Sequence, residues 1–152
     1  MLIRITDQSL MINKIFIQNF RSIENLEIEP EHLCTLVGPN SVGKSNILKA
    51  LSILLGETYP TERAFSRDDF FKRETDRPIE IKVWFNEPLK AVKLTKYRSS
   101  EKVFCAAVSI SLSYKIVDEE RITSLLVEDA EGHLFYGSSS VRDQLSFIYI
   151  PS

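Results

Sequence analysis

The sequence predicts an α/β domain, and two features carry that expectation. A short apolar run, LCTLV at residues 33–37, leads into GPNSVGKS at 38–45 and then into NILKALSILLG, whose apolar residues recur at spacings of three and four. From Pro78 onward the period changes to two, most clearly in IEIKVWF at 79–85. Side chains repeat about every 3.6 residues on a helix and every two on a strand, so the two periods mark one helix and a set of strands.

Taken in order, INKIFIQNF at 12–20 mixes branched and aromatic residues with polar ones near alternate positions, as a strand does. RSIEN then supplies a turn, and NLEIEP alternates Leu26 and Ile28 with acids until Pro30 stops it, so the two segments predict a hairpin. Residues 33–37 read as a strand buried on both faces. Ile47, Leu48, Leu51, Leu54 and Leu55 form the apolar stripe of a helix from Lys44 to Leu55, with Gly56 at its end. Residues 57–78 are polar and longer than an ordinary connection, which suggests a functional loop or a short helix. After the strand at 79–85, with Glu80, Lys82 and Trp84 on its polar face, 103–117 and 123–137 continue as strands, the latter turning at DAEGH. LSFIYIPS at 145–152 begins another strand.

With 152 residues, 43% of them hydrophobic, the chain can bury one sizeable core. Its 19 basic and 21 acidic residues leave a net charge of -2, which gives no overall field for a nucleic acid or a membrane. Cys34 and Cys105 lie in apolar runs without partner ligands and read as buried, reduced thiols, consistent with a cytoplasmic protein. No apolar run approaches the roughly 18 residues of a spanning helix.

GPNSVGKS satisfies G-x-x-x-x-G-K-[ST] at Gly38, Gly43, Lys44 and Ser45. Glycines let the backbone curl so that successive amides point at phosphate oxygens, and the helix that follows adds the positive end of its dipole. A chain of this length would contain the pattern by chance with a probability of about half a per cent, and here a strand precedes it and a helix follows. The expected ligand is ATP with Mg²⁺. Gly38, Pro39, Asn40, Ser41, Val42, Gly43, Lys44, Ser45 and Asn46 would form the cradle, Lys44 would reach the β- and γ-phosphates, and Ser45 would ligate the metal.

Hydrolysis also requires a carboxylate at the end of a second buried strand. The acidic pair after an apolar run, Asp118 and Glu119, follows alternating residues and so belongs to a half-exposed antiparallel strand instead. YGSSS at 136–140 lacks the second glycine and the helix of a signature motif. No catalytic residue is assigned, and no hydrolysis is expected of these residues alone.

INKIFIQNFRSIENLEI and LVGPNSVGKSNILKALSILLG together resemble the N-terminal lobe of RecF/SMC-type ABC ATPases, and most of all the OLD-family ATP-dependent nucleases and their anti-phage defence relatives. The resemblance is specific over residues 12–56. FSRDDFF and FIYIPS extend it more weakly. It implies an ABC-ATPase head lobe with a mixed, largely antiparallel sheet, pairing with a second head around ATP, and a full-length protein that couples ATP to DNA repair or cleavage. It implies a homodimer or higher homo-oligomer, DNA as a partner of the full-length protein, and no membrane. It also places Arg21 near the nucleotide and Asp69, or its neighbour Asp68, near Mg²⁺ or the γ-phosphate. Signature helix, Walker B strand, switch histidine and TOPRIM carboxylates have no counterpart, so residues 1–11 are expected to be a leader and 12–152 the N-terminal part of such a domain. The alternative is a non-catalytic nucleotide-binding module that pairs with a full-length ATPase.

Read without that resemblance, Arg21 is a solvated turn residue, and Asp68 or Asp69 a helix N-cap before two phenylalanines. Lys90, Lys93, Lys96, Arg98 and Lys102, set against Glu101 alone, form either a solvated hairpin or a DNA-backbone contact. Trp84 is expected to pack under a neighbouring element. His32 and His133 show no partner for metal or catalysis.

Overall fold

The computed structural model describes residues 10–30 and 43–145. In chain order the elements are β1 (Ile12–Phe20), β2 (Ile23–Ile28), α1 (Lys44–Leu55), β3 (Ile79–Phe85), β4 (Val92–Thr95), β5 (Lys102–Cys105), β6 (Ala107–Val117), β7 (Glu120–Asp129), β8 (Leu134–Tyr136) and α2 (Ser139–Arg142). The expected strand at 33–37, the loop at 38–42, Cys34, His32, most of the leader and the segment 146–152 lie outside the described residues.

Six strands form one sheet in the order β2-β1-β3-β6-β7-β8, and every pairing in it is antiparallel. Strict alternation gives the sheet one dry face. Ile15 and Ile17 of β1, Ile79, Ile81 and Val83 of β3, Ile110, Leu112 and Tyr114 of β6, and Val127 of β7 all point into the core. α1 lies on that face against β1 and β3 and buries Ile47, Ala50, Leu51, Leu54 and Leu55. Each buried isoleucine or leucine of this set contributes on the order of 1.5–3 kcal/mol. The stripe differs from expectation at one position: Leu48 is half-buried, and Ala50 is buried in its place. The buried set runs i, i+3, i+4, i+7, i+8, and Leu48 stands about 100° round the helix from Ile47. Gly56 caps α1 as expected, but with extended backbone at φ -69° and ψ 174° and its N–H on the Ser52 carbonyl, where a side chain would strike that oxygen.

Two expected features take another form. The run 103–117 is broken at Ala106: β5 pairs with β4 in a separate two-stranded hairpin, and only β6 enters the main sheet. The break falls where three small residues, Cys105, Ala106 and Ala107, follow one another. Trp84 does not tuck under another element. It stands on the outer face of the sheet, with the ammonium groups of Lys14 and Lys82 at 4.9 and 4.7 Å from its ring centre.

Residues 57–78 carry three single 3-10 turns, at Glu62–Ala64, Arg67–Asp69 and Phe71–Arg73. Two aromatic anchors hold this segment on the dry face. Phe65 stacks on Tyr114 with ring centres 4.7 Å apart and meets Phe20 edge-on at 6.2 Å, while Phe70 lies 5.6 Å from Tyr114. Asn19, buried at the end of β1 in a left-handed conformation, donates to the carbonyls of Glu74 and Arg77 and ties down the segment's far end.

Arg142 closes the core from the other side. Although it is only 5% exposed, its guanidinium forms no salt bridge with a carboxylate among the described residues; it donates to the main-chain carbonyls of Leu54, Gly56 and Thr58. Burial pulls its pKa below the ordinary arginine value, with Tyr59 and Asp143 acting the other way. A cation at a helix C-terminus satisfies carbonyls that the helix itself leaves open. No helix among the described residues is long and apolar enough to cross a membrane.

Arg142→Ala is expected to lower the unfolding free energy by about 1–3 kcal/mol in urea titration, because the buried Leu54 carbonyl and the partly buried carbonyls of Gly56 and Thr58 lose their donor; an unchanged midpoint would show that α1 does not depend on this clamp. Cys105 is buried and free, and burial, then the charge of Asp129, pushes its thiol up to about 11. In a Cys34→Ser background it should therefore resist thiol-specific labelling at pH 8 until the chain unfolds; fast labelling in native buffer would contradict that burial.

Candidate nucleotide site

The cradle residues Gly38, Pro39, Asn40, Ser41 and Val42 lie outside the described residues, whereas Gly43, Lys44, Ser45 and Asn46 are inside them. Gly43 starts α1 at φ 84° and ψ 9°, in the left-handed region. A Cβ there would stand 2.8 Å from the Ser22 hydroxyl oxygen. Glycine is therefore required twice, by its dihedral angles and by the close approach of the β1–β2 turn. Among the described residues no side chain caps α1, and no acid occupies its first turn. A helix start without a capping side chain or a nearby acid is suited to an anion, because the positive dipole end is left uncompensated. Ser45 is exposed there, and Lys44 is half-buried.

Arg21 and Ser22 reach this helix start from the hairpin turn. Ser22 Oγ accepts from Asn46 Nδ2 at 2.8 Å, and Arg21 Nη1 lies 3.5 Å from Asn46 Oδ1. Arg21 is fixed from below: its main-chain N–H donates to the Asp69 carbonyl at 2.6 Å, and its Nε to Asp69 Oδ1 at 2.9 Å. The neighbouring residues Phe20 and Phe70 form an isolated antiparallel bridge. These contacts hold Arg21 at φ 52°, which an arginine rarely adopts unaided.

Asp69 is buried and already engaged at both oxygens. Oδ1 takes Arg21, and Oδ2 accepts the Ser66 N–H at 2.8 Å, with the Ser66 hydroxyl at 3.4 Å. Ser66 occupies the N-cap and Asp69 the N3 position of a capping box, which differs from the simple N-cap expected for an aspartate here. A metal at Asp69 would have to displace one of these partners. Asp68 is exposed and pairs with Arg73 at 3.0 Å. Together Arg21, Ser66, Asp68, Asp69, Phe70, Lys72 and Arg73 line an open cleft of about 630 Å³ beside the helix start.

The structure thus brings Arg21, Gly43, Asn46 and Asp69 of the expected set into one neighbourhood. Sequence reasoning missed Ser22 and Ser66. The S-x-x-D spacing of Ser66 and Asp69 was a readable capping signal, but nothing local pointed from Ser22 to Asn46. Asp118 and Glu119 form the two-residue turn between β6 and β7, both at positive φ, as expected of an antiparallel hairpin. His133 is corrected: its Nδ1 lies 3.1 Å from Asp129 Oδ2 and 3.5 Å from Glu131 Oε2, and ligand atoms of the three residues fall within 4.8 Å of one another. The tight turn before β8 folds positions i, i+2 and i+4 together, and Asp129 Oδ1 accepts the main-chain N–H groups of Glu131 and His133.

Comparison with known proteins fits this geometry. A family model described as an AAA ATPase domain matches residues 11–136. An OLD nuclease of Thermus scotoductus is 38% identical over 79 residues, 51% of this chain and 15% of the relative. Endonuclease GajA of Bacillus cereus is 33% identical over 72 residues, 47% of this chain and 12% of the relative. The DNA double-strand break repair Rad50 ATPase of Methanopyrus kandleri is 38% identical over 76 residues, 49% of this chain and 8% of the relative. The matched stretches are therefore a small part of each of these longer proteins.

Gly43→Ala is expected to cost about 1–3 kcal/mol of stability from the left-handed backbone and the Ser22 contact combined. In a Ser22→Gly background part of that cost should disappear and the backbone part should remain. Full recovery, or no cost at all, would contradict the strained conformation at Gly43.

Proposed function

Because this chain belongs to the AAA ATPase domain family and is of the OLD and RecF/SMC type, we propose that it binds ATP with Mg²⁺ at the start of α1. In this reading the amides from Gly38 to Ser45 cradle the phosphates, Lys44 neutralises them, Ser45 offers its hydroxyl to the metal, and Asn46 and Arg21 border the site. The observation that supports it is the acid-free start of α1, without a capping side chain among the described residues, at a left-handed Gly43 pressed against Ser22. That arrangement fits a phosphate and Mg²⁺: amides and a lysine suit the anion, and a hydroxyl oxygen suits the hard cation. When bound, Mg²⁺ supplies charge neutralisation across the phosphate oxygens. Asp69 acts by holding Arg21 beside Asn46, a positioning role that follows from its two occupied oxygens.

In the longer proteins that contain such a region, ATP binding would drive pairing of two heads and control DNA processing or cleavage, and a role in phage defence or repair belongs to the same proposal. These residues alone would bind without turning ATP over, since Asp118 and Glu119 form a hairpin turn and cannot act as the second-strand carboxylate.

Isothermal titration of the 152-residue chain with ATP and Mg²⁺ tests the reading. Saturable heat is expected, with Lys44→Ala weakening affinity roughly tenfold or more, as loss of a charge-assisted phosphate contact implies. No heat from the folded wild type, or equal affinity in Lys44→Ala, would remove the basis of the proposal.

A further inference from the structure

The β4–β5 hairpin gives Leu94 and Cys105 to the core, but its outer face is absorbed neither by the core nor by the nucleotide site. It joins the main sheet through one bridge, Lys96 to Phe135, and through the Tyr97 N–H on the Leu134 carbonyl. That pairing fixes which side chains share a face. Phe135 and Leu94 are buried, so they and Lys96 point inward, and the cross-strand pairs Lys93–Phe104 and Thr95–Lys102 point outward. Leu134 and Tyr136, flanking Phe135, point outward on the same side.

This outer strip interleaves aromatic and basic groups. Phe104 is 73% exposed, the most of any large hydrophobic residue among those described as exposed, and Tyr136 is 43% exposed. Tyr97 meets Tyr136 edge-on at 5.4 Å, and the Arg98 guanidinium lies 5.2 Å from the Tyr97 ring. Lys93 and Lys102 are exposed, and no carboxylate pairs with either among the described residues. Two acids of this region are committed elsewhere: Glu101 to Lys96, and Glu128 to Lys82 on β3.

A protein surface gains little by leaving a phenylalanine in water between two unpaired lysines, unless something flat and anionic covers it. We propose that the outer face of β4, β5 and β8 is a stacking platform for single-stranded DNA, with Phe104 and the Tyr97–Tyr136 pair receiving bases and Lys93, Arg98 and Lys102 receiving phosphates. Neighbouring strands are about 4.8 Å apart, so rings on β5 and β8 stand roughly 10 Å apart, a spacing that unstacked bases span. A duplex keeps its base faces inside the stack and offers Phe104 nothing, whereas a single strand exposes them. The choice of DNA rests on the reading of this chain as part of a DNA-processing ATPase; the surface itself does not involve the nucleotide site.

The test is fluorescence anisotropy of the 152-residue chain, without nucleotide, against a labelled oligothymidine, its duplex with oligoadenosine, and an oligouridine. The oligothymidine should bind more tightly than the duplex. Phe104→Ala should weaken it about fivefold or more, as loss of one base-stacking partner does. Lys93→Glu with Lys102→Glu should weaken it further and reduce the salt slope by about 1.4, two phosphates at roughly 0.7 each. Lys115→Glu, a charge reversal at the far end of β6, should have little effect on either. All four substituted sites are exposed, and circular dichroism confirms that each variant folds. No binding by wild type, duplex binding as tight as single-strand binding, oligouridine bound more tightly than oligothymidine, or full affinity in Phe104→Ala would overturn the proposal. So would a Phe104-dependent dimer that excludes the oligonucleotide in sedimentation. ATP titration on the same samples separates the two readings, since ATP heat without DNA binding sinks only this one.

Discussion

The position of the candidate site depends on four rings. Phe65 and Phe70, packed on Tyr114 and Phe20, are what turn a long polar connection into an ordered wall beside α1. Each aromatic contact is worth on the order of 0.5–1.5 kcal/mol beyond its buried area, which a segment of single 3-10 turns could not obtain from its own hydrogen bonds. Once Phe70 is anchored, Asp69 is carried under the β1–β2 turn, and the Arg21 main chain finds its carbonyl. The guanidinium, held at Nε by Asp69, turns Nη1 toward Asn46. An apolar cluster on the dry face of the sheet thus sets the direction of a charged group at its rim.

The backbone around this rim is unusually strained. Asn19, Arg21, Lys72, Arg73 and Gly43 all have positive φ, and Arg21, Lys72 and Arg73 border one cleft. A left-handed residue other than glycine costs about 1–2 kcal/mol, and such conformations persist only where the surroundings over-determine them. The compensation is visible residue by residue: two carbonyl partners for Asn19, two Asp69 contacts for Arg21, and the Phe70 carbonyl for the Arg73 N–H. The result is a preorganised edge, in which ordering costs are met by folding and are not left for a ligand to supply.

The sequence made legible whatever depends on period and on neighbours. Helix α1 begins at Lys44 and ends at Leu55 as expected, because apolar spacing and Gly56 are local signals, and β3 alternates as its letters do. The site was legible in part, since Gly43 to Asn46 carry a motif and Arg21 a family resemblance. What could not be read depends on partners far along the chain. Arg142 clamps carbonyls 84 to 88 residues away, and Trp84 finds Lys14 through sheet register. The division of 103–117 was hidden for another reason: Ala106 and Ala107 fit a strand equally well on either side of the break, so only pairing partners could locate it.

The same one-sided burial that builds the core leaves the two proposed binding surfaces separated by the sheet, the helix start on the dry side and the basic aromatic strip on the wet side. They are joined by continuous packing. Arg142 fastens the C-terminal end of α1 to α2, Tyr59 donates to the Gly137 carbonyl, and the Gly137 N–H holds the Leu125 carbonyl beside β8. From β8 the Tyr136 hydroxyl accepts the Arg98 N–H at the tip of the hairpin. Contiguity of this kind is a path and not yet a coupling, which needs an element with two arrangements that both ligands bias. The described contacts supply one candidate for such an element. α1 is packed on the sheet through Ile47, Ala50, Leu51, Leu54 and Leu55, its end is held by Arg142, and its start is the point where a triphosphate would pull on it. Any shift of α1 along its axis moves the carbonyls that Arg142 grips. Through α2 and Gly137 those carbonyls connect to the edge strand β8, whose Tyr136 meets Tyr97.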